Sequence, residues 1–319
     1  MKAIRIINKS FLYIYYLLRF KSHTVAYYFA QYNLKLFLAA KVFATRNKLV
    51  FAGTGNEILK KCIKSYINEY EKMVICLCDS RVKVVAATEN NFTVNVNGIN
   101  LMVNSISNIV TLYEIYIETL YKVTLPDTNN IVVMDIGMNV GYASLFFASF
   151  REVKKVYSYE PFSATYEEAQ RNLNNNARLL SKINSYNFGI SNYDGIIDVP
   201  MMTSGDGGAS TNKDILQIRN TGDLPFVKVE IKEFINEARR IIKENRDASI
   251  VLKIDCEGEE YTIFDSIKSE DLLGKISVLI IEWHLKGDMP IVEILNQHFF
   301  KVLCLPKADN ASGMIYAFK

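Results

Sequence analysis

The sequence predicts an α/β fold with a mostly parallel seven-stranded sheet and an antiparallel last strand, preceded by a helical N-terminal arm and a small β-hairpin. Three observations carry this. From Asn130 onward, short apolar runs alternate with helical patterns, the order that specifies βαβ crossovers. The first run, Ile131–Asp135, opens into a loop with glycines at 137 and 141, where a strand gives way to a helix. The last two runs, Lys301–Leu305 and Met314–Phe318, are joined too closely for a crossover helix, so they are read as antiparallel neighbours. The chain of 319 residues is 50% apolar and 22% charged, which supports a folded core and excludes disorder.

Residues 1–56 form the predicted arm. Positions 1–50 hold nine Lys or Arg, and no acid precedes Glu57. Removing those nine from 37 leaves 28 basic against 34 acidic residues, a net charge of −6 for the remainder. The arm is also rich in aromatics, as in Phe11–Phe20. Its apolar run is broken at Arg19, Lys21 and His23, short of the roughly 20 residues a membrane span needs. Arg-Phe-Lys-Ser-His is a poor signal-peptide cleavage site. Two readings fit: a helical arm packed on its own domain or on a second subunit of a homo-oligomer, and a basic amphipathic helix on an anionic membrane surface. The charges are spread through apolar helix rather than gathered on a stripe, so no nucleic-acid partner is expected. The corresponding location is cytoplasmic, with peripheral attachment to the inner membrane face under the second reading.

Residues 57–125 read as accessory elements. Helical spacing runs from Glu57 to Tyr70, and Met73–Cys78 is a short apolar run of strand length. Phe92–Val96 and Ile99–Val103 alternate apolar and polar residues around Asn97-Gly98, the strongest short hairpin signal. Ile106–Tyr121 reads as an amphipathic helix ended near Pro126. The five cysteines are odd in number and lie in apolar surroundings, so they are read as reduced core residues.

Residues 126–319 form the main domain. Its strands are read as Ile131–Asp135, Val156–Glu160, Tyr186–Ile190, Ile250–Asp255, Val278–Trp283, Lys301–Leu305 and Met314–Phe318. Asp198–Val227, with the run Thr203–Asn212 (TSGDGGASTN), reads as a long loop, and long loops in compact domains are usually functional.

Gly137 and Gly141 let the backbone pass close to a ligand without a Cβ clash. The dinucleotide fingerprint G-x-G-x-x-G is absent, since position 139 is Asn and the next glycine follows two residues later. No lysine-bearing phosphate loop is present either. Glu160 ends the second strand about 20 residues on, where a carboxylate can accept two hydrogen bonds from the vicinal hydroxyls of a ribose.

These residues resemble the FkbM-type methyltransferases, in the class I superfamily. The marks run in order from about Asn97 to Phe318: NGINLMVNS, DIGMNVGYASL, YSYEPF, GISNYDG, GDGGAST, KIDCEGEEYTIF and IIEWH. The resemblance implies a Rossmann-like fold, S-adenosyl-L-methionine as cofactor, and methylation of a hydroxyl on a sugar, glycan or related small-molecule acceptor. It implies cofactor contacts from Asp135, Gly137, Asn139, Gly141, Tyr142, Glu160 and Pro161. Asp255, Glu257 and Glu260 match the family's D-x-E-G-x-E element, whereas Glu259 falls on a variable position and receives no role.

An alcohol acceptor must lose its proton, and histidine titrates near neutrality without perturbation. His284 is therefore the first candidate base, Asp255 the second, and Glu257 an orienting group. Glu282 is two residues from His284 and shares its strand face. Ser210, Asp206 and Glu282 are candidate acceptor contacts. Acids alone do not demonstrate a metal, and none is expected. An N-methyltransferase, an NAD-dependent oxidoreductase and a non-catalytic cofactor-binding protein are the rival readings.

Overall fold

The computed structural model describes residues 13–18, 23, 26, 41–45, 47–62, 66, 69–126, 128–200, 209–218, 224–268, 270–307 and 311–319. The chain divides into two compact units, Met1–Leu120 and Tyr121–Lys319.

In the first unit, residues 13–18 are helical, and most of the predicted arm lies outside the described residues. Its last part is not helical: β1 (Val42–Ala44), β2 (Lys48–Phe51) and β3 (Asn56–Leu59) form an antiparallel sheet. The strand at Asn56–Leu59 replaces the start of the helix expected from Glu57. Met73–Cys78 is helix rather than strand, within α1 (Tyr70–Cys78). Tyr70, Met73, Val74 and Leu77 are its buried face at helical spacing, and a short apolar run alone cannot separate that pattern from a buried strand. The Asn56 amide binds both neighbours, donating to the Leu77 carbonyl at 2.8 Å and the Val82 carbonyl at 2.9 Å. The expected hairpin is present: β5 (Phe92–Val96) and β6 (Ile99–Val103) pair around Asn97 and Gly98, whose φ values are 51° and 85°. β4 (Val82–Ala87) adds a third strand. Ser105 caps α2 (Ile106–Leu112) by accepting from the Asn108 N–H, and the helix continues as one π-helical turn, Tyr113–Ile117.

The second unit is built on a seven-stranded sheet in the order β15-β16-β14-β13-β7-β8-β9. Its strands are β7 (Ile131–Ile136), β8 (Val153–Tyr159), β9 (Ile183–Tyr186), β13 (Ser249–Ile254), β14 (Ile276–His284), β15 (Lys301–Pro306) and β16 (Ser312–Phe318). β9, β8, β7, β13 and β14 pair in parallel, and β16 is antiparallel to both its neighbours. β7 is buried along its whole length, as a central strand covered on both faces must be. The covering helices are α3 (Tyr142–Ala148), α4 (Ser163–Asn174), α5 (Ala177–Leu180), α7 (Phe234–Glu244), α8 (Glu260–Ile267) and α9 (Met289–Gln297).

The third expected strand, Tyr186–Ile190, is instead two. β9 ends at Tyr186, and β10 (Gly189–Ser191) leaves the main sheet to pair with β12 (Phe226–Glu233). β12 also pairs antiparallel with β11 (Gly195–Pro200), giving a second, three-stranded sheet where most of β11 and β12 carried no strand reading. A Cβ on Gly189 would sit 2.8 Å from Ile231 Cδ1 and 3.2 Å from Pro161 Cβ, so a side chain there would have to displace Ile231 and press on Pro161. The loop between β11 and β12 contains α6 (Lys213–Ile218). No helix among the described residues is long and apolar enough to cross a membrane.

Candidate active site

The parallel strands aim their carboxyl ends at one edge of the sheet, and a cleft partly open to solvent lies there. Its lining includes Gly137, Asn139, Glu160, Pro161, Asp255 and Glu257.

The loop after β7 forms one wall. Met138 N–H and Gly137 N–H donate to the Tyr159 carbonyl at 2.8 and 3.2 Å, holding the loop to β8. Gly137 has φ +78°, and a Cβ there would lie 1.7 Å from the Asp255 carbonyl oxygen, so any side chain is excluded. Gly141 (φ +84°) opens α3, and Tyr142 is buried behind it. Asn139 N–H donates to Glu160 Oε2 at 2.9 Å, and Phe162 N–H donates to Glu160 Oε1 at 3.1 Å. Each carboxylate oxygen thus keeps a lone pair for another donor. Burial pushes the Glu160 carboxyl up to about 7, against the two backbone hydrogen bonds and Lys253, which favour its charge.

Asp135 is not a cleft residue. It is wholly buried, accepts from the Ser144 hydroxyl at 2.6 Å and pairs with Lys253 Nζ at 3.0 Å. Lys253 is the group that sequence reasoning passed over. It is 1% exposed, donates to the Gly137 carbonyl at 2.6 Å, and stands 3.8 Å from Asp255 and 5.6 Å from the centre of the Tyr121 ring. Burial works against its charge, but Asp135 and Asp255 outweigh that and raise its pKa. A lysine inside the apolar run Ile250–Ile254 was the available signal, because such a residue is fully buried only when paired. Tyr121, which donates to Asp255 Oδ2 at 3.0 Å, gave no signal 134 residues away.

The loop after β13 carries the acids. Glu260 is 0% exposed and accepts from Cys256 N–H at 3.2 Å and Gly258 N–H at 2.8 Å. Glu259 accepts from the Ser191 hydroxyl at 2.8 Å, linking β10 to this loop. Ser210 is 1% exposed, and its hydroxyl donates to the Glu257 carbonyl at 2.6 Å, so it braces the turn instead of facing an acceptor. Asp206 lies outside the described residues.

His284, at the end of β14, sits among four carboxylates. Its Nδ1 is 2.9 Å from Glu260 Oε1, and its Nε2 is 3.7, 3.9 and 4.0 Å from Glu282, Glu257 and Asp255. Burial disfavours the imidazolium, but Glu260 and the other acids prevail and push its pKa up to about 10. In this arrangement His284 is already protonated at neutral pH, and the general-base role expected of it has no vacant nitrogen lone pair to use. Asp255 is also charged: burial opposes this, while Lys253, His284 and Tyr121 hold its carboxyl below the usual range. Glu282 accepts from Lys307 Nζ at 2.6 Å, and burial together with Asp255 pushes it up to about 7.

The family model described as the methyltransferase FkbM domain matches residues 135–301. Comparison with curated proteins gives no match. Among solved structures, the chain is similar to methyltransferase FkbM from Methylobacillus flagellatus at 15% identity and a TM-score of 0.40, covering 61% of this chain and 45% of that one. It is similar to Streptococcus pneumoniae Sp1610, a putative tRNA (m1A22) methyltransferase in complex with S-adenosyl-L-methionine, at 14% identity and a TM-score of 0.35, covering 60% and 67%. It is also similar to M. capricolum TrmK in complex with S-adenosyl-homocysteine, at 13% identity and a TM-score of 0.34, covering 63% and 66%. The chain thus spans less than half the length of the first of these. The family match takes in more than half of the sequence and contains the glycine loop, Glu160, the Asp255–Glu260 turn and His284, and on it this chain belongs to the FkbM methyltransferase family.

Proposed function

We propose that the chain is an S-adenosylmethionine-dependent O-methyltransferase acting on a hydroxyl of a sugar, glycan or related acceptor. The observation that carries the cofactor reading is the Glu160 carboxylate, fixed by Asn139 and Phe162 N–H with one lone pair per oxygen left for vicinal ribose hydroxyls. Gly137 and Asn139 leave room for the remainder of the nucleoside at the same wall.

In the transfer, a lone pair of the acceptor oxygen forms the new O–CH₃ bond. The C–S bond breaks with its electrons going to sulfur, and the hydroxyl proton departs. The leaving group is good, so positioning supplies most of the acceleration. Asp255 and Glu257 are placed to accept from the acceptor hydroxyl, while Glu282 and His284 stand behind them. The carboxylates of Asp255, Glu257 and Glu282 also favour a second reading, an amine acceptor drawn in as its cation, which gives a proton to one of them before its nitrogen lone pair attacks the methyl carbon.

Calorimetric titration with S-adenosylhomocysteine and with NAD tests the cofactor. Binding of the first and not the second is expected, and the reverse result would sink the reading. Glu160→Ala is expected to weaken S-adenosylhomocysteine binding by about 1.5–3 kcal/mol, the loss for hydrogen bonds to a charged group. The basic segment 1–50 supports peripheral membrane attachment, which flotation with anionic liposomes, with and without that segment, decides.

A further inference from the structure

The side chains at the ends of β13 and β14 are arranged around His284 in a way that ion pairing alone does not require. Nδ1 is held by Glu260 at 2.9 Å, and Glu260 is fully buried, so the ring has one orientation. Nε2 is thereby directed at Glu282, Glu257 and Asp255 oxygens, 3.7, 3.9 and 4.0 Å away. All three exceed the roughly 2.7–3.2 Å of an N–H···O hydrogen bond.

The spacing suits donors that share a cation. With metal–ligand bonds of about 2.0–2.2 Å, the donors of a tetrahedral site lie about 3.3–3.6 Å apart, so the Asp255 and Glu257 oxygens need only close on Nε2 by a few tenths of an ångström. One atom from each of Asp255, Glu257 and His284 can be chosen so that all lie within 4.8 Å of one another. Glu282 is engaged by Lys307 at 2.6 Å and stands outside that set.

We propose that Asp255, Glu257 and His284 bind a divalent transition-metal cation, which displaces the Nε2 proton to water, with Glu260 holding the imidazole in the ligating orientation. An imidazole nitrogen beside two carboxylates selects Mn²⁺ or Zn²⁺ over Mg²⁺, which prefers oxygen alone. A carboxylate that accepts the other ring N–H is the usual outer partner of a metal-bound histidine. Three protein ligands leave a coordination position open, as in catalytic sites. Asp255 and Glu257 line the same cleft as Glu160, so that position opens into the cleft. Resting on the methyl-transfer reading, the cation takes the acceptor hydroxyl as a further ligand and lowers its pKa. The hydroxyl proton passes to water, the oxygen attacks the methyl carbon, and the C–S bond breaks toward sulfur. A side-chain base is then unnecessary.

Chelator-treated full-length protein is titrated with MnCl₂, with free Mn²⁺ read by electron paramagnetic resonance, and with ZnCl₂ by calorimetry. One ion per chain is expected. Glu260→Gln should weaken its binding by about 10–100-fold, the usual cost of losing an outer partner, and His284→Ala by at least as much. Glu257→Gln, at a less buried position, keeps the test valid if His284→Ala fails to fold. No binding of either ion at millimolar concentration overturns the proposal. So does equal binding by wild type, His284→Ala and Glu257→Gln, which marks an ion held elsewhere. Titration with S-adenosylhomocysteine separates the two readings: cofactor binding without an ion removes only the metal site, and ion binding without cofactor removes only methyl transfer.

Discussion

Burial pushes the Glu160 carboxyl up to about 7, so its charge changes across the neutral range. The folded pKa is raised above the unfolded value of 4.5. This group therefore stabilises the cofactor-free fold fully below about 4.5, and the contribution is lost as pH rises through about 7. In the proposed role of Glu160, cofactor binding has the opposite sign, because ribose hydroxyls would donate to the charged carboxylate. S-adenosylhomocysteine affinity should rise between pH 6 and pH 8 and flatten above, by calorimetry, while Glu160→Gln binds weakly with little slope. A second residue-scale prediction concerns Gly137. Its positive φ and the 1.7 Å approach of the Asp255 carbonyl to an added Cβ make Gly137→Ala costly, about 2–4 kcal/mol in urea unfolding. Gly287→Ala, also at positive φ but with nothing within 4 Å, should cost about 1 kcal/mol. Equal costs would show that the close approach is relieved. At this scale the sequence was most informative for backbone: Gly137, Asn139 and Glu160 stand together at one wall of the cleft as their spacing implied. Protonation was not legible. His284 looked like a base because an isolated imidazole titrates near neutrality, and the Glu260 carboxylate that changes this arrives from a helix 24 residues earlier.

At the scale of elements, β13 is unusual in carrying a buried lysine between two acids. Replacing Lys253 with Met leaves Asp135 without its cation in a site that is 0% exposed. The expected loss is about 3–5 kcal/mol by urea unfolding, the cost of an uncompensated buried charge. The double variant Lys253→Met, Asp135→Asn should recover part of it, and no recovery would mean that Lys253 acts mainly through the Gly137 carbonyl. Strand direction in the main sheet followed from apolar runs and short connections, whereas strand order did not. What the runs did not contain was the sheet to which each strand belongs. Tyr186–Ile190 reads as one continuous segment, but the side chain of Asn187 donates to the Glu160 carbonyl at 2.9 Å, and the chain departs before Gly189. Met73–Cys78 failed differently, since a helix with a broad buried face and a buried strand are both simply apolar over six residues.

For the whole molecule, the cleft proposed for the cofactor is lined, among the described residues, from within the unit Tyr121–Lys319, by the ends of β7, β8 and β13 and by the small second sheet. A ligand that binds only the folded state stabilises it by mass action, about 2.7 kcal/mol at a hundredfold excess over Kd. S-adenosylhomocysteine should accordingly raise the melting temperature, and hydrogen exchange should slow first in the loops after β7, β8 and β13. Protection confined to residues 1–120 would place the ligand elsewhere.

The reversed direction of β16 also bears on how acceptor preference can change. Its pairing sets Ser312 beside His284, and Leu285 N–H donates to the Ala311 carbonyl at 2.9 Å. The β15–β16 hairpin therefore turns at the carboxyl edge, and Lys307 reaches Glu282 from it. The connection meets the end of β14 through Ala311 and Lys307, so a change in its length acts first on the surroundings of His284 and Glu282. Variation in that turn would alter the setting of Glu282 and His284 while the wall formed by Gly137, Asn139 and Glu160 stays fixed.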